Sequence, residues 1–385
     1  MESYEVGLYI HIPFCKKKCP YCDFYSIVAP SKDLEKAYSK SLIKEFELLL
    51  NFLKSLGIQQ LKIVTVYVGG GTPSIFSGAF YEKVFNFVKD RTLWEPEEIS
   101  IEVNPESLSK EKLKSFEEAG FNRLSLGIQS LSEKGLKELG RIHSLEESLK
   151  ALTLVKGSKI KNISADLIFA WKGQKLEDLK KELELLLSYP VDHISAYELT
   201  IAPETEFFKR YGCKYWISHE EVENFYKFLG DFLSKKGLIR YEISNYAKTS
   251  MECKHNLRYW KVEPYLGLGA GAVSRVKNLR WKNPGLFDYL QSLENDRLPL
   301  EIVEHMSNLD FFKEHLFMGL RLTKGVNLKK LKTNYGYEIA PEVLRILKSQ
   351  DFIEVNQNQI KLTLKGILLH NQVVRALWDG IVKGK

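Results

Sequence analysis

Short β-branched or apolar runs alternate with long amphipathic stretches up to about residue 205, and this alternation constrains the fold more than any other feature. Six runs read as strands: GLYIHI from Gly7, KIVTVYVGG from Lys62, ISIEVN from Ile99, RLSLGIQ from Arg123, NISADLIF from Asn162 and HISAYEL from His193. Between them leucine and phenylalanine recur every three or four residues with charges opposite, as in KDLEKAYSKSLIKEFELLLNFLKSLG, which predicts helices. Strand then helix, repeated, predicts an α/β fold with a parallel sheet, an open or closed βα barrel.

Beyond that point the repeat fades into a segment rich in aromatic residues and glycine, running to Arg280 and expected to complete one side of the barrel. From about Leu309 the pattern turns helical in FFKEHLFMGLRL, LKKLKTNYG and APEVLRILKSQ, followed by DFIEVNQNQIKLT as a hairpin and GILLHNQVVRALW as a last helix. That order outlines a winged-helix-like α+β domain, so residues 1–305 and 306–385 are expected as two domains. Winged helices often set a recognition helix in the major groove of DNA. Here that helix, PEVLRILKSQ, is not strongly basic, so the module reads as a lid or packing domain with no nucleic-acid partner. The net charge of +7 is scattered among 49 acidic residues, which agrees with a mildly basic surface rather than a nucleic-acid tail. With 385 residues, 44% of them hydrophobic, the chain is long enough for one large and one smaller domain. No window reaches the roughly 18 apolar residues of a membrane helix. Five cysteines without disulfide spacing, and a first stretch MESYEVGLYI unlike a signal peptide, predict a reducing, cytoplasmic setting.

In a βα barrel the site gathers where the strands' carboxyl ends meet. Strand one ends in a cysteine loop, strand two in GGGTP (Gly69 to Pro73), strand three in EVNP with Glu102, and strand four in GIQS with Gln129. Strand five carries Asp166, and strand six Tyr197 and Glu198. Any one of these has a plainer explanation as a turn or a helix cap; their coincidence on one rim points to a site. The cysteine loop, HIPFCKKKCPYC, holds Cys15, Cys19 and Cys22. Zinc is one reading, with a fourth ligand from His11, Cys213, Cys253 or His255, although no second ligand pair is visible. The other is an iron–sulfur cluster with three irons held by thiolate and one left open for a small molecule.

C-x3-C-x2-C after a first strand, with GGGTP after the second, resembles the radical S-adenosylmethionine superfamily. The resemblance implies a partial (β/α)6 barrel of the TIM type, a 4Fe-4S cluster on Cys15, Cys19 and Cys22, and S-adenosyl-L-methionine bound through its amino and carboxylate groups at the open iron. It extends over nearly the whole chain to the subfamily of the oxygen-independent coproporphyrinogen III dehydrogenases and the related heme chaperones. The matching stretches include YIHIPFC, GGGTPS, EVNPES, RLSLGIQS, LGRIHS, ADLIF, DHISAYELT, HNLRYW and YLGLGAGAVS. By that resemblance Tyr9 and Tyr21 flank the cluster, Gly70, Gly71, Thr72 and Glu102 meet S-adenosylmethionine, and Gln129, Arg141 and Asp166 line the same cavity.

The dehydrogenases carry a fourth cysteine two residues after the third, where this chain has Phe24, and a leader of several dozen residues ahead of the cluster. Both departures, together with HNLRYW (His255 to Trp260), favour the chaperones, which makes the chain a binding protein rather than an enzyme. His255 is then the candidate heme ligand, since imidazole ligates heme iron and aromatic faces stack on the macrocycle. The partners expected are heme, heme-requiring apoproteins, and an acidic electron donor facing Lys16 to Lys18, with membrane contact only through a client. The alternative is oxidative decarboxylation of porphyrinogen propionates by a dehydrogenase. The stretch AWKGQK, Ala170 to Lys175, stands where the family usually reads GLPGQT, so the shape of that loop is open.

Overall fold

The computed structural model describes residues 3–28, 34–212 and 216–384. Cys213, one of the fourth ligands considered for zinc, lies outside them. The chain divides into two compact units, one of Met1–Ser218, Pro264–Val276 and Arg280–Val303, the other of His219–Glu263, Lys277–Leu279 and Glu304–Lys385.

In the first unit the strands read from sequence form β1 (Tyr4–Ile12), β2 (Leu61–Gly70), β3 (Leu93–Val103), β4 (Arg123–Gln129), β5 (Asn162–Phe169) and β6 (His193–Glu198). They lie side by side in chain order, each parallel to the next. On the far side of β1 the sheet continues through β7 (Tyr265–Leu268), parallel to β1, then β8 (Val273–Val276) and β9 (Leu279–Lys282). Between β1 and β2 runs α1 (Leu34–Ser55), which buries Tyr38, Leu42, Phe46, Leu49 and Leu53, a stripe at helical spacing.

The strands' period of two sorts the residues between two faces. Leu8, Ile10 and Ile12, Val66 and Val68, Ile101 and Val103, Leu124, Leu126 and Ile128, Ile163, Ala165 and Leu167, and Ile194 and Ala196 make one buried apolar face. This is the face that amphipathic crossover helices cover, and each valine, leucine or isoleucine buried there stabilises the fold by about 1.5–3 kcal/mol. The alternate positions carry Tyr9 and His11, Tyr67 and Gly69, Ser100 and Glu102, Ser125 and Gly127, Ser164 and Asp166, and His193 and Ser195. These are joined across neighbouring strands: Tyr67 donates to Glu102 Oε1 (2.9 Å), Ser125 to Asp166 (3.0 Å), and Ser164 pairs with His193 Nδ1 (2.8 Å).

The second unit ends in a winged-helix order. It runs α2 (Lys254–Trp260), α3 (Asn308–Gly319), β10 (Val326–Asn327), α4 (Leu328–Tyr335), α5 (Pro341–Ser349), β11 (Ile353–Asn356), β12 (Gln359–Leu362) and α6 (His370–Asp379). Strand β12 lies between β10 and β11, antiparallel to both. The hairpin was legible in the sequence; its third strand, of two residues, was not. Residues His219–Glu263 join this module through Glu242, which is fully buried and accepts from Arg321 Nη2 (3.0 Å), Ser244 N (2.7 Å) and Asn245 Nδ2 (2.6 Å).

Another buried carboxylate pins α1 to the loop after β7. Glu45 accepts from Gly269 N (2.7 Å), Asn283 Nδ2 (2.5 Å) and Tyr289 OH (2.7 Å), and burial still raises its pKa to about 7 from 4.5. A folded-state pKa above the unfolded one gives stability that is fully present below pH 4.5 and lost as the pH rises through 7. Glu45→Gln removes that dependence while adding a fixed cost for an amide among donors. Urea unfolding should therefore show wild type losing about 3 kcal/mol relative to the variant between pH 4.5 and 8; parallel pH profiles would contradict a buried, titrating Glu45.

Candidate functional site

The cysteine loop leaves β1 and is fastened to the loop after β2 by backbone bonds. Gly71 N donates to Ile12 O and Thr72 N to Phe14 O, both at 2.8 Å. The glycines are there because side chains would not fit. A Cβ on Gly71 would lie 2.7 Å from Phe14 O and 3.0 Å from Cys15 Sγ. On Gly70, whose φ is +115°, it would lie 2.6 Å from His11 Cε1.

His11 forms the floor under that turn. Its Nε2 lies 2.9 Å from Tyr25 O, a pure acceptor, so Nε2 carries the proton and Nδ1 accepts from Tyr9 OH at 2.8 Å. Burial lowers the pKa of His11, which suits this neutral ring. Tyr9 stacks on Tyr67, with ring centroids 6.4 Å apart, and Tyr67 hydrogen-bonds Glu102. The other oxygen of Glu102 accepts from Gly70 N at 3.1 Å. Burial and then the neighbouring charge of Asp166 raise Glu102 to about 7; burial likewise raises Asp166, against hydrogen bonds from Ser195 and Ser125. The two carboxylates thus face one interior and resist ionising together.

On the opposite side stands Arg141. Its Nη1 donates to Cys19 Sγ (3.1 Å) and reaches Tyr21 OH (3.5 Å), and its Nη2 donates to Asn104 Oδ1 (3.1 Å). Asn104 in turn donates to Thr72 Oγ1 at 3.3 Å, tying the loops after β1, β2, β3 and β4 into one network. Burial alone would lower the pKa of Arg141, but Tyr21, Cys19 and Glu106 hold it above its ordinary value. Its Nε is buried with no hydrogen-bond partner, a donor left for a ligand. Gln129 takes a left-handed backbone, φ 65°, at the end of β4, and its Nε2 points at the space beside Gly127. Cys22 accepts from Phe24 N, yet burial pushes its thiol up to about 11, with the other two cysteines adding to the shift. A bound metal cation would stabilise the thiolate form of Cys22 that burial disfavours.

The residues expected at the rim are thus brought together in the first unit: Tyr9, Cys15, Cys19, Tyr21, Cys22, Gly70, Gly71, Thr72, Glu102, Gln129, Arg141 and Asp166. Tyr67, Asn104, Glu106 and His143 join them without having been singled out. Tyr67 was discoverable from its inward place in the alternation of β2; the loop residues gave no such signal. Trp171 of the unusual AWKGQK stretch is buried with Leu139, Ile168, Leu199 and Phe207, against which Tyr21 packs, so it fills the space behind the cysteine loop. His255 belongs to the second unit, on α2, where it has no exposed surface. Its Nε2 lies 2.9 Å from Tyr259 OH, and burial, then the charge of Arg258, drives its pKa to about 3. Ligating iron from this position requires the Tyr259 hydrogen bond to open.

A thiol triad on the loop after β1, a glycine turn against it and a polar interior define the class, and the profile of the Radical SAM superfamily matches residues 9–186. That of the HemN C-terminal domain matches residues 306–369. A Bacillus subtilis protein named heme chaperone HemW is 34% identical over 96% of this chain and 98% of its own length. A Danio rerio protein named Radical S-adenosyl methionine domain-containing protein 1, mitochondrial, is 32% identical over 99% of this chain and 85% of its own. Coproporphyrinogen III oxidase (HemN) from Escherichia coli shares the fold, with a TM-score of 0.81 over 97% of this chain and 90% of that one at 20% identity. This chain belongs to the HemW family of the radical SAM superfamily. Membership implies a 4Fe-4S cluster and S-adenosylmethionine, and the donor set fits: three cysteines, a glycine cradle and an unpartnered guanidinium nitrogen. Among the described residues no helix is long and apolar enough to cross a membrane.

Gly70→Ala combines a strained backbone with a collision against the His11 ring. It should lower the unfolding free energy by about 2 kcal/mol or more in urea titrations; a variant as stable as wild type would show that the turn tolerates a side chain.

Proposed function

We propose that the chain binds heme and passes it to heme-requiring apoproteins in the cytoplasm, on a radical SAM scaffold. The observation that carries this reading is the likeness over almost the full chain to proteins named heme chaperone HemW, at 31–34% identity in the relatives of that name covering 95% or more of it. In this reading Cys15, Cys19 and Cys22 hold the cluster, and S-adenosylmethionine lies between the Gly70–Thr72 turn, Glu102, Gln129, Arg141 and Asp166, with Tyr9 and Tyr21 flanking. When bound, the cluster supplies one electron and an open iron. The chain's own residues then do simpler work. Gly70 and Gly71 keep the turn thin, Glu102 and Asp166 offer acceptors to hydroxyl groups, and Arg141 Nε offers a donor to a carboxylate. Lys17 and Lys18 are exposed on the cysteine loop, a face that suits an acidic electron donor.

His255 is retained as a heme ligand only through an opening of α2, and Tyr259 tests that idea. Tyr259→Phe removes the phenol that Nε2 bonds, so heme titration should show tighter binding with a nitrogen-ligand Soret band, while His255→Ala loses that band and keeps the iron–sulfur absorption. If His255 only packs, both variants bind heme as wild type does and His255→Ala merely unfolds more easily. Wild type that binds no heme above a control protein, and instead decarboxylates coproporphyrinogen III with reductant and S-adenosylmethionine, would replace the chaperone with the dehydrogenase.

A further inference from the structure

We infer that His143 is a positioning residue that helps hold the Arg141 guanidinium on Cys19 Sγ and thereby sets the reduction potential of the cluster. His143 and Glu106 belong to LGRIHS and NPES, stretches to which no role has been given above beyond the arginine. The inference rests on the cluster being held by Cys15, Cys19 and Cys22.

The His143 side chain is fully buried and locked from two sides. Its Nε2 lies 3.2 Å from Ile128 O, at the end of β4, and its Nδ1 faces Glu106 Oε2 at 3.3 Å and Arg141 Nη2 at 3.5 Å. Glu106 is almost as buried as its partner. Burial opposes its charge, but its surroundings, the charge of Arg141 among them, hold its pKa below the ordinary value. Lys16 Nζ donates to Glu106 O at 3.2 Å, fixing the cysteine loop to the same turn. The two N–H groups of Nη2 are shared among three acceptors, Asn104 Oδ1 at 3.1 Å, Gly127 O at 3.4 Å and His143 Nδ1 at 3.5 Å. The guanidinium fork is thus fixed at one end, which leaves Nη1 aimed at Cys19 Sγ, 3.1 Å away.

Reduction adds negative charge to a cluster, and a cationic donor on a ligating sulfur favours the reduced form. Replacing His143 by an apolar side chain of similar size keeps the core filled and removes one of the three acceptors that hold Nη2. The test is a dye-mediated redox titration of reconstituted protein, followed by electron paramagnetic resonance, with iron and sulfide measured in each sample. Arg141→Met should lower the midpoint potential, His143→Leu should shift it in the same direction, and His143→Gln, whose amide can serve both Ile128 and Arg141, should return toward wild type. If His143→Leu folds poorly, His143→Asn, too short to keep both contacts, takes its place. Equal cluster loading with an unchanged potential in the His143 variants, or in Arg141→Met, overturns the inference while leaving the cluster in place. Wild type that takes up no iron and sulfide removes the cluster reading and this inference together.

Discussion

Everything in the first unit depends on which face of the six parallel strands is apolar. In a filled βα barrel the inward residues are bulky and branched, and the interior is a packed core. Here the inward positions carry Tyr9, His11, Tyr67, Glu102, Ser125, Asp166 and Ser195, while the apolar residues are on the other face. An interior of this kind is stable only if its polar groups find partners, because an unpaired buried polar group costs about 1–3 kcal/mol. They do so across strands, in bonds such as Tyr67 to Glu102 and Ser125 to Asp166. Sheet register and site geometry are therefore one problem: a slip of one residue would turn the polar set toward the helices and the apolar set into the cavity.

The same interior is electrically divided. Glu102 on β3 and Asp166 on β5 have pKa values raised by burial, Glu102 also by the charge of Asp166, whereas Arg141 and the three thiols gather on the loops after β4 and β1. A neutral filling would leave both halves poorly satisfied. In the proposed reading, a ligand with hydroxyl groups toward the carboxylates and a carboxylate toward the guanidinium, the distribution of S-adenosylmethionine, would satisfy both. The glycine turn lies between the halves, where Gly70 N donates to Glu102 and Thr72 Oγ1 accepts from Asn104, the residue that holds Arg141.

What the sequence made legible is what short-range pattern controls. All six strands were readable from alternation, and the helices of the last domain from their period, because each signal lies within a dozen residues. Long-range pairings were not readable. Nothing in the pattern shows that Glu242 meets Arg321 across 79 positions, an ion pair inside the second unit. Nor does it show that His143 and Glu106, each an ordinary polar residue in a loop, converge on Arg141. The left-handed backbone of Gln129 is hidden in the same way, since only the geometry at the end of β4 requires it.

His255 shows why a motif's residue types do not fix its chemistry. HNLRYW places an imidazole among aromatic rings, the composition of a heme pocket, and the structure uses that composition inward. The ring stands edge-on to Tyr259 at 5.1 Å, with Cys253, equally buried, at the start of the helix. On the same helix Trp260 lies under the Arg321 guanidinium at 4.4 Å, the same arginine that neutralises Glu242. The motif is thus joined to the winged-helix module through one cation that serves both a ring and a buried carboxylate. Removing either partner of such a buried pair typically costs 3–5 kcal/mol, so an opening of α2 that kept Arg321 on Glu242 would be far less costly than one that pulled it away.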